Sequence, residues 1–275
     1  MEEQVIVSLT SYGRRLGNLP EVLNTIFQQT RKPDKVVLNL AFEEVLPENV
    51  EDYLAENRVE INRVADTKVY KKIIPTLLRY PNDCVIGIDD DWLYPPQMIE
   101  DFMEVHRQFP DNPISGNRVI YENLQCHCGC ASLVKASWFG DYLGEINDEL
   151  MKNCLSDDVV YTYFLAKAGR VYVRTQDEYF INMQAYNSLD SYSDNNDNAI
   201  DDTYSFLVQK YGCVDKPYMS YFSMNYYAVI VDIIQHCNAK IQHLNCSIDA
   251  ICGSRAYRLG RFVLAPFRWI KRMLK

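Results

Sequence analysis

The sequence predicts an α/β protein built on a mostly parallel sheet. Four short apolar runs rich in β-branched residues, "QVIVSLTSY", "KPDKVVLNLA", "VEINRVA" and "CVIGID", recur within the first 89 residues. Each is separated from the next by a segment with helical spacing, and that alternation is the pattern of parallel strands joined by crossover helices. The chain has 275 residues and is 48% hydrophobic, enough for a sizeable core in one large domain, or one domain with an appendage.

The elements follow in order. "QVIVSLTSY" reads as a buried first strand that ends in Thr, Ser and Tyr. "NLPEVLNTIFQQT" places Leu19, Val22, Leu23, Ile26 and Phe27 on one helical face, and Pro20 suits a first turn. "KPDKVVLNLA" is a second strand after a Pro-Asp turn. "PENVEDYLAEN" is a short helix and "VEINRVA" a third strand. "YKKIIPTLLRY" reads as a helix and "CVIGID" as a fourth strand. "YPPQMIEDFMEVHRQF" is a helix with Pro near its start. Beyond it the pattern is mixed: "PISGNRVIYEN", "ASLVKAS" and "RVYVRT" read as strands and "SDDVVYTYFLAKAG" as a helix. Ser156 is the expected N-cap of that helix, and Asp157 and Asp158 complement its dipole. Residues 188–202, "SLDSYSDNNDNAIDD", hold five Asp and no basic residue, and read as a polar loop. "TYSFLVQKYG" and "YFSMNYYAVIVDIIQHCNAKIQHLNC" read as helices. A soft boundary falls near 217, giving a domain over 1–217 and a helical appendage over 218–275.

Charge narrows the partners. The net charge is −9, yet Ser254–Lys275 carries seven basic residues and no acidic one, so the rest of the chain stands at −16. An acidic body argues against nucleic acid. The start "MEEQVIVSLTSYG" lacks a basic stretch followed by a long apolar one, and the nine cysteines are an odd number. Together these predict reduced thiols in a cytosolic protein. No run of 18 or more apolar residues is present.

Two loops stand out. In open parallel sheets, ligands bind at the carboxyl ends of the strands. "TSYGRR" follows the first strand and "DDDW" the fourth. Three adjacent carboxylates, Asp89, Asp90 and Asp91, repel one another and are costly to desolvate. On the residues alone they form either a solvated acidic turn or a site that holds a cation.

Three stretches taken together, "VSLTSYGRRLGNLPEVLNTIFQQTRKPDKVVLNLA", "VYKKIIPTLLRYPNDCVIGIDDDWLYPPQMIEDF" and "LSDDVVYTYFLAKAG", resemble bacterial family-2-like glycosyltransferases of the GT-A type. These enzymes build capsule, lipopolysaccharide or exopolysaccharide. The resemblance covers roughly residues 4–215. It implies a GT-A, Rossmann-like fold: a mostly parallel mixed sheet flanked by helices. It also implies a hexosyltransferase-type enzyme with a nucleotide-sugar donor, a UDP-sugar being the leading candidate, and a saccharide or lipid-linked acceptor. A Mn²⁺ or Mg²⁺ ion and inversion at the anomeric carbon complete the picture.

By that resemblance, Asp89-Asp90-Asp91 matches the family's Asp-x-Asp motif. Hard divalent ions prefer carboxylate and phosphate oxygens. Asp91 is expected as direct metal ligand and Asp89 as a contact to the nucleotide ribose, or to the metal through a bound water. The role of Asp90 is open. Asp157-Asp158 matches the family's Glu-Asp pair, with Asp158 aligned to the catalytic base that deprotonates the acceptor hydroxyl. Asp stands here where the family has Glu, so either acid of the pair remains a candidate base. Thr10, Ser11 and Tyr12 fit the nucleotide-base pocket. Arg14 and Arg15 have guanidinium forks suited to phosphate, though an ordinary surface turn reads equally well. Asp66 sits where the family contacts uracil. Lys68, Lys71 and Lys72 are candidates to face the donor phosphates, although helical lysines are commonly just solvated.

Other features read as structural. "CHCGC" (126–130) lacks paired Cys-x-x-Cys spacing and fits buried thiols better than zinc. His236 and His243 read as ordinary helix-face residues. Arg255–Lys275 mixes cations with Phe262, Phe267, Trp269, Ile270 and Leu274, the composition of an interfacial helix that meets anionic lipid, interrupted at Pro266. Packing of this tail onto the acidic body is the alternative. The sequence therefore predicts a cytoplasmic protein held peripherally at the inner face of the membrane. Two other functions compete: a sugar-nucleotide nucleotidyltransferase and a non-catalytic scaffold of a polysaccharide-assembly complex. The first would favour a Gly-rich phosphate loop after the first strand, which "TSYGRRLGN" does not supply.

Overall fold

The computed structural model describes residues 3–116, 119–121, 124–126, 131–175, 181–182 and 193–214. All of them fall in the first of the chain's two compact units, Met1–Ser223. The appendage expected over 218–275, with its basic tail and His236 and His243, lies outside the described residues, as do residues 127–130 of the cysteine cluster.

The first half follows the alternation read from the sequence: β1 (Val5–Thr10), α1 (Leu19–Phe27), β2 (Lys35–Ala41), α2 (Glu48–Glu56), β3 (Glu60–Val64), α3 (Ile74–Arg79) and β4 (Cys84–Ile88). Then come β5 (Trp92–Leu93), α4 (Met98–Gln108), β6 (Ile114–Ser115), β7 (Val119–Tyr121), β8 (Leu124–Cys126) and β9 (Ala131–Val134). The described residues end with α5 (Asp148–Asn153), α6 (Asp157–Lys167), β10 (Val173–Arg174), β11 (Ile181–Asn182) and α7 (Ser193–Tyr211).

Seven strands form one sheet in the order β10-β6-β9-β4-β1-β2-β3. Strands β4, β1, β2 and β3 run parallel, β9 is antiparallel to β4 and β6, and β10 is parallel to β6. Two small antiparallel pairs, β5 with β11 and β7 with β8, stand beside it. The chain moves from β1 outward to β3 and then returns to place β4 on the other side of β1. The gap between the carboxyl ends of β1 and β4 is thus a topological switch point, where open α/β sheets bind ligands.

Burial explains why these runs become strands. Five of six residues of β1 and all of β4 are buried, as expected for parallel strands covered on both faces. Leu19, Val22, Leu23 and Ile26 of α1 are fully buried against the core, and each contributes about 1.5–3 kcal/mol through removal from water. In β4, Gly87 lets another segment approach closely: a Cβ there would lie 2.6 Å from the Ile73 side chain. The 3-10 turn Lys68–Lys72 and Ile73 therefore pack directly against the strand.

Three local expectations need correction. The helix expected over 70–80 is a 3-10 turn followed by α3, because Ile73 leaves helical geometry (φ −122°) ahead of Pro75. The polar loop expected over 188–202 is helical from Ser193. Ser156 stands at the N-cap of α6 but makes no side-chain capping bond.

Candidate active site

The β4 loop puts the acid triplet at the switch point. The Tyr94 hydroxyl accepts a hydrogen bond from the Asp89 N–H (2.8 Å) and donates one to the Asp89 carbonyl (3.0 Å), so the loop is tied back onto itself. Tyr94 is buried, and Asp90 and Asp91 are buried beside it. Sequence reasoning missed Tyr94, and a tyrosine two residues before a second proline carries no signal of this role.

The β1 loop supplies the counter-charge. Arg15, in the 3-10 turn Gly13–Asn18, places Nη2 2.6 Å from Asp90 and 2.5 Å from Asp91. Burial works against the Arg15 charge, but Asp90 and Asp91 outweigh it and hold the guanidinium protonated. Burial pushes the Asp90 carboxyl up to about 6, with Arg15 opposing. Oδ2 of Asp90 is buried with no hydrogen-bond partner among the described residues. In the same loop, Thr10 donates to the Asn39 carbonyl (2.8 Å), Ser11 is buried, and Tyr12 and Arg14 are exposed.

A third segment joins the second acid group to the first. Lys72 is buried, with its ammonium 2.9 Å from Asp89 and 3.4 Å from Asp157 at the start of α6. Burial disfavours this charge, yet Asp157 and Asp89 together hold it well above the usual lysine range. Its backbone is held too. Ser8 donates to the Lys72 carbonyl (2.6 Å) and contacts the Thr76 hydroxyl (2.7 Å), and Asn39 donates to both hydroxyls. Tyr70, from the same turn, donates to the Cys154 carbonyl (2.8 Å) and meets Tyr161 of α6 edge-on. The turn therefore braces the start of α6 as well as β4.

Within the pair, the two acids differ. Asp157 is buried beside Lys72; burial raises its carboxyl and Lys72 opposes the rise. Asp158 is partly exposed as a residue, but its Oδ1 is buried without a hydrogen-bond partner among the described residues. Burial first, and then the charge of Asp157, lift the Asp158 carboxyl well above the ordinary range.

Asp66 forms a separate cluster after β3. It accepts from the Lys68 ammonium (2.6 Å) and from Lys71, and these two bonds hold its carboxyl well below the usual range. Lys71 thus faces Asp66, while Lys72 faces Asp89 and Asp157.

The central group sets five carboxylates, Asp89, Asp90, Asp91, Asp157 and Asp158, against two cations, Arg15 and Lys72. That excess of hard oxygen donors, with one Asp90 oxygen buried and unpartnered, suits a divalent cation of the Mg²⁺ or Mn²⁺ type.

No family model matches the chain, and no curated protein matches it in sequence. Solved structures do match. The mannosyltransferase PcManGT from Pyrobaculum calidifontis, solved with GDP-Man and Mn²⁺, superposes with a TM-score of 0.61 at 13% identity, covering 96% of this chain and 85% of that one. The fold is therefore the α/β, Rossmann-like one seen in that glycosyltransferase. Two others match more loosely, each with a TM-score of 0.46. They are 4-diphosphocytidyl-2C-methyl-D-erythritol synthase (10% identity, 68% of this chain and 97% of that one) and residues 1–349 of S. aureus TarS with UDP (12%, 64% and 59%).

Proposed function

We propose that this chain is a metal-dependent, inverting glycosyltransferase. It moves a sugar from a nucleotide-diphosphate donor, a UDP-sugar being the leading candidate, to a saccharide or lipid-linked acceptor in cell-surface polysaccharide synthesis. One observation carries the reading. Two acidic groups with different electrostatic settings meet at the carboxyl end of the sheet, joined by the single ammonium of Lys72.

Each group has a distinct task. Asp91 and Asp89 would hold the metal, which when bound neutralises charge on the departing diphosphate. Tyr94 fixes the backbone that presents Asp89. Thr10, Ser11, Tyr12 and Asp66 are assigned to the nucleoside, and Arg14 and Lys71 to its phosphates. Asp158 takes the proton from the acceptor hydroxyl. A carboxylate with a raised proton affinity is the better base near neutral pH, and at Asp158 burial and the charge of Asp157 outweigh the opposing charge of Lys72. Asp157, beside Lys72, fixes the position of the pair.

The appendage from about residue 218 and its basic segment Arg255–Lys275 complete the proposal. Cations beside Phe, Trp and Leu suit an anionic membrane surface, and a peripheral position at the inner face of the cytoplasmic membrane would bring the enzyme to a lipid-linked acceptor. Among the described residues, no helix is long and apolar enough to cross a membrane. Removing Ser254–Lys275 should release the protein from anionic liposomes and leave donor hydrolysis intact.

A thermal-shift panel of nucleotide sugars with and without Mn²⁺ tests the core of this reading, because a ligand that binds the native state raises apparent stability by mass action. The expected result is a metal-dependent rise with one nucleotide class. No rise with any activated sugar refutes it.

A further inference from the structure

Arg15 stands where a cation is required. Its side chain leaves the turn after β1, crosses the switch point and places one nitrogen against both Asp90 and Asp91, at 2.6 and 2.5 Å. The two carboxylates are only 6% and 11% exposed, so water screens this contact far less than a surface ion pair. An ion seated between Asp90 Oδ1 and Asp91 Oδ2 would take the oxygens that Arg15 now holds. Adjacent buried carboxylates need a cation, and a guanidinium and a divalent ion are alternatives for the same position.

The arginine also has somewhere else to go. A guanidinium fork pairs with phosphate oxygens as readily as with carboxylates. Its backbone is held independently of the acids: the Arg15 N–H donates to the Tyr12 carbonyl (3.1 Å). The side chain can therefore swing while its backbone stays.

We propose, resting on the transferase reading above, that Arg15 is a positioning residue that fills the cation site of the donor-free protein. It yields Asp90 and Asp91 to the metal when a donor diphosphate offers it a new anion. At no stage are the buried acids left without a cation. Metal and nucleotide consequently bind as a coupled pair, and a bare divalent ion competes poorly.

Mn²⁺ uptake by the full chain tests this, followed by loss of the free-ion EPR signal with and without UDP or GDP and corrected for Mn²⁺ held by free nucleotide. In the wild type, nucleotide should tighten Mn²⁺ binding by a factor within roughly 5–150, the usual span of coupled sites. Arg15→Gln should take up bare Mn²⁺ about tenfold more tightly than the wild type, with the nucleotide factor falling towards one. Arg15→Lys, which keeps a charge but loses the fork, should fall between them. It decides the matter if the glutamine variant does not fold: a nucleotide factor unchanged from wild type in Arg15→Lys overturns the exchange. Bare Mn²⁺ uptake by Arg15→Gln no tighter than wild type, with nucleotide coupling intact in both, also overturns it and leaves the transferase reading standing. No Mn²⁺ uptake by any of the three with either nucleotide overturns both.

Discussion

The β4 loop and the start of α6 both present acids at the same end of the sheet, but they meet their charge differently. Asp90 and Asp91 share Arg15, and Asp89 takes Lys72. At α6, Asp157 takes the other side of Lys72, while Asp158 forms no ion pair among the described residues and feels Lys72 only through its charge. Burial raises the carboxyls of Asp90, Asp157 and Asp158 alike, and a paired cation opposes the rise at the first two. Asp158, lifted by the charge of Asp157 as well, has the proton affinity suited to accepting a proton. The contrast separates acids that bind from the acid that reacts.

Replacing the odd member of the set should have the largest effect. Asp158→Asn removes the base and should lower the transfer rate by about 10²–10⁴-fold, the usual worth of general base catalysis, with donor affinity unchanged in a binding assay. Next is the shared cation. Lys72→Met leaves the buried Asp157 and the part-buried Asp89 without it and should destabilise the fold by about 3–5 kcal/mol, read by denaturant titration. Gly87→Ala forces Ile73 away from β4 and shifts the turn that carries Lys72; a loss of about 1–3 kcal/mol is expected in the same titration. At the other extreme stands Lys68, whose pair with Asp66 lies towards solvent. Lys68→Ala should change stability by less than about 1 kcal/mol.

The pH dependence sharpens the comparison further. A base must be deprotonated, so the transfer rate should fall as pH drops through the raised Asp158 value. The charge of Asp157 helps to raise that value. Asp157→Asn removes that charge and leaves Lys72 shared between Asp89 and Asp158 only, so the acid limb should move to lower pH. A limb that stays in place or moves upward would assign the proton to another group.

Much of the first half was legible in the sequence. The strands β1 to β4 are unbroken apolar runs, and the helices between them carry a clear apolar face, as Leu19, Val22, Leu23 and Ile26 show. The second half was less so. β6 and β10 are two residues long, too short for a periodic signal, and α6 is buried nearly all round, which erases amphipathic spacing. The first turns of α7 are rich in Asp and Asn, which favour loops by composition. The candidate site divides in the same way. The position of Asp89–Asp91 at a strand end follows from local pattern. The grip of Arg15 on Asp90 and Asp91, the reach of Lys72 to Asp157 and the role of Gly87 depend on contacts between distant segments, and no local spacing encodes them.

The division of labour between the two acid groups is the central claim, and isothermal titration of Asp91→Asn and Asp158→Asn with UDP and GDP in the presence of Mn²⁺ tests it most directly. The account predicts that Asp158→Asn binds one of these nucleotides as the wild type does, while Asp91→Asn loses the metal-dependent part of that binding. Equal binding by both variants, or loss confined to Asp158→Asn, would contradict it.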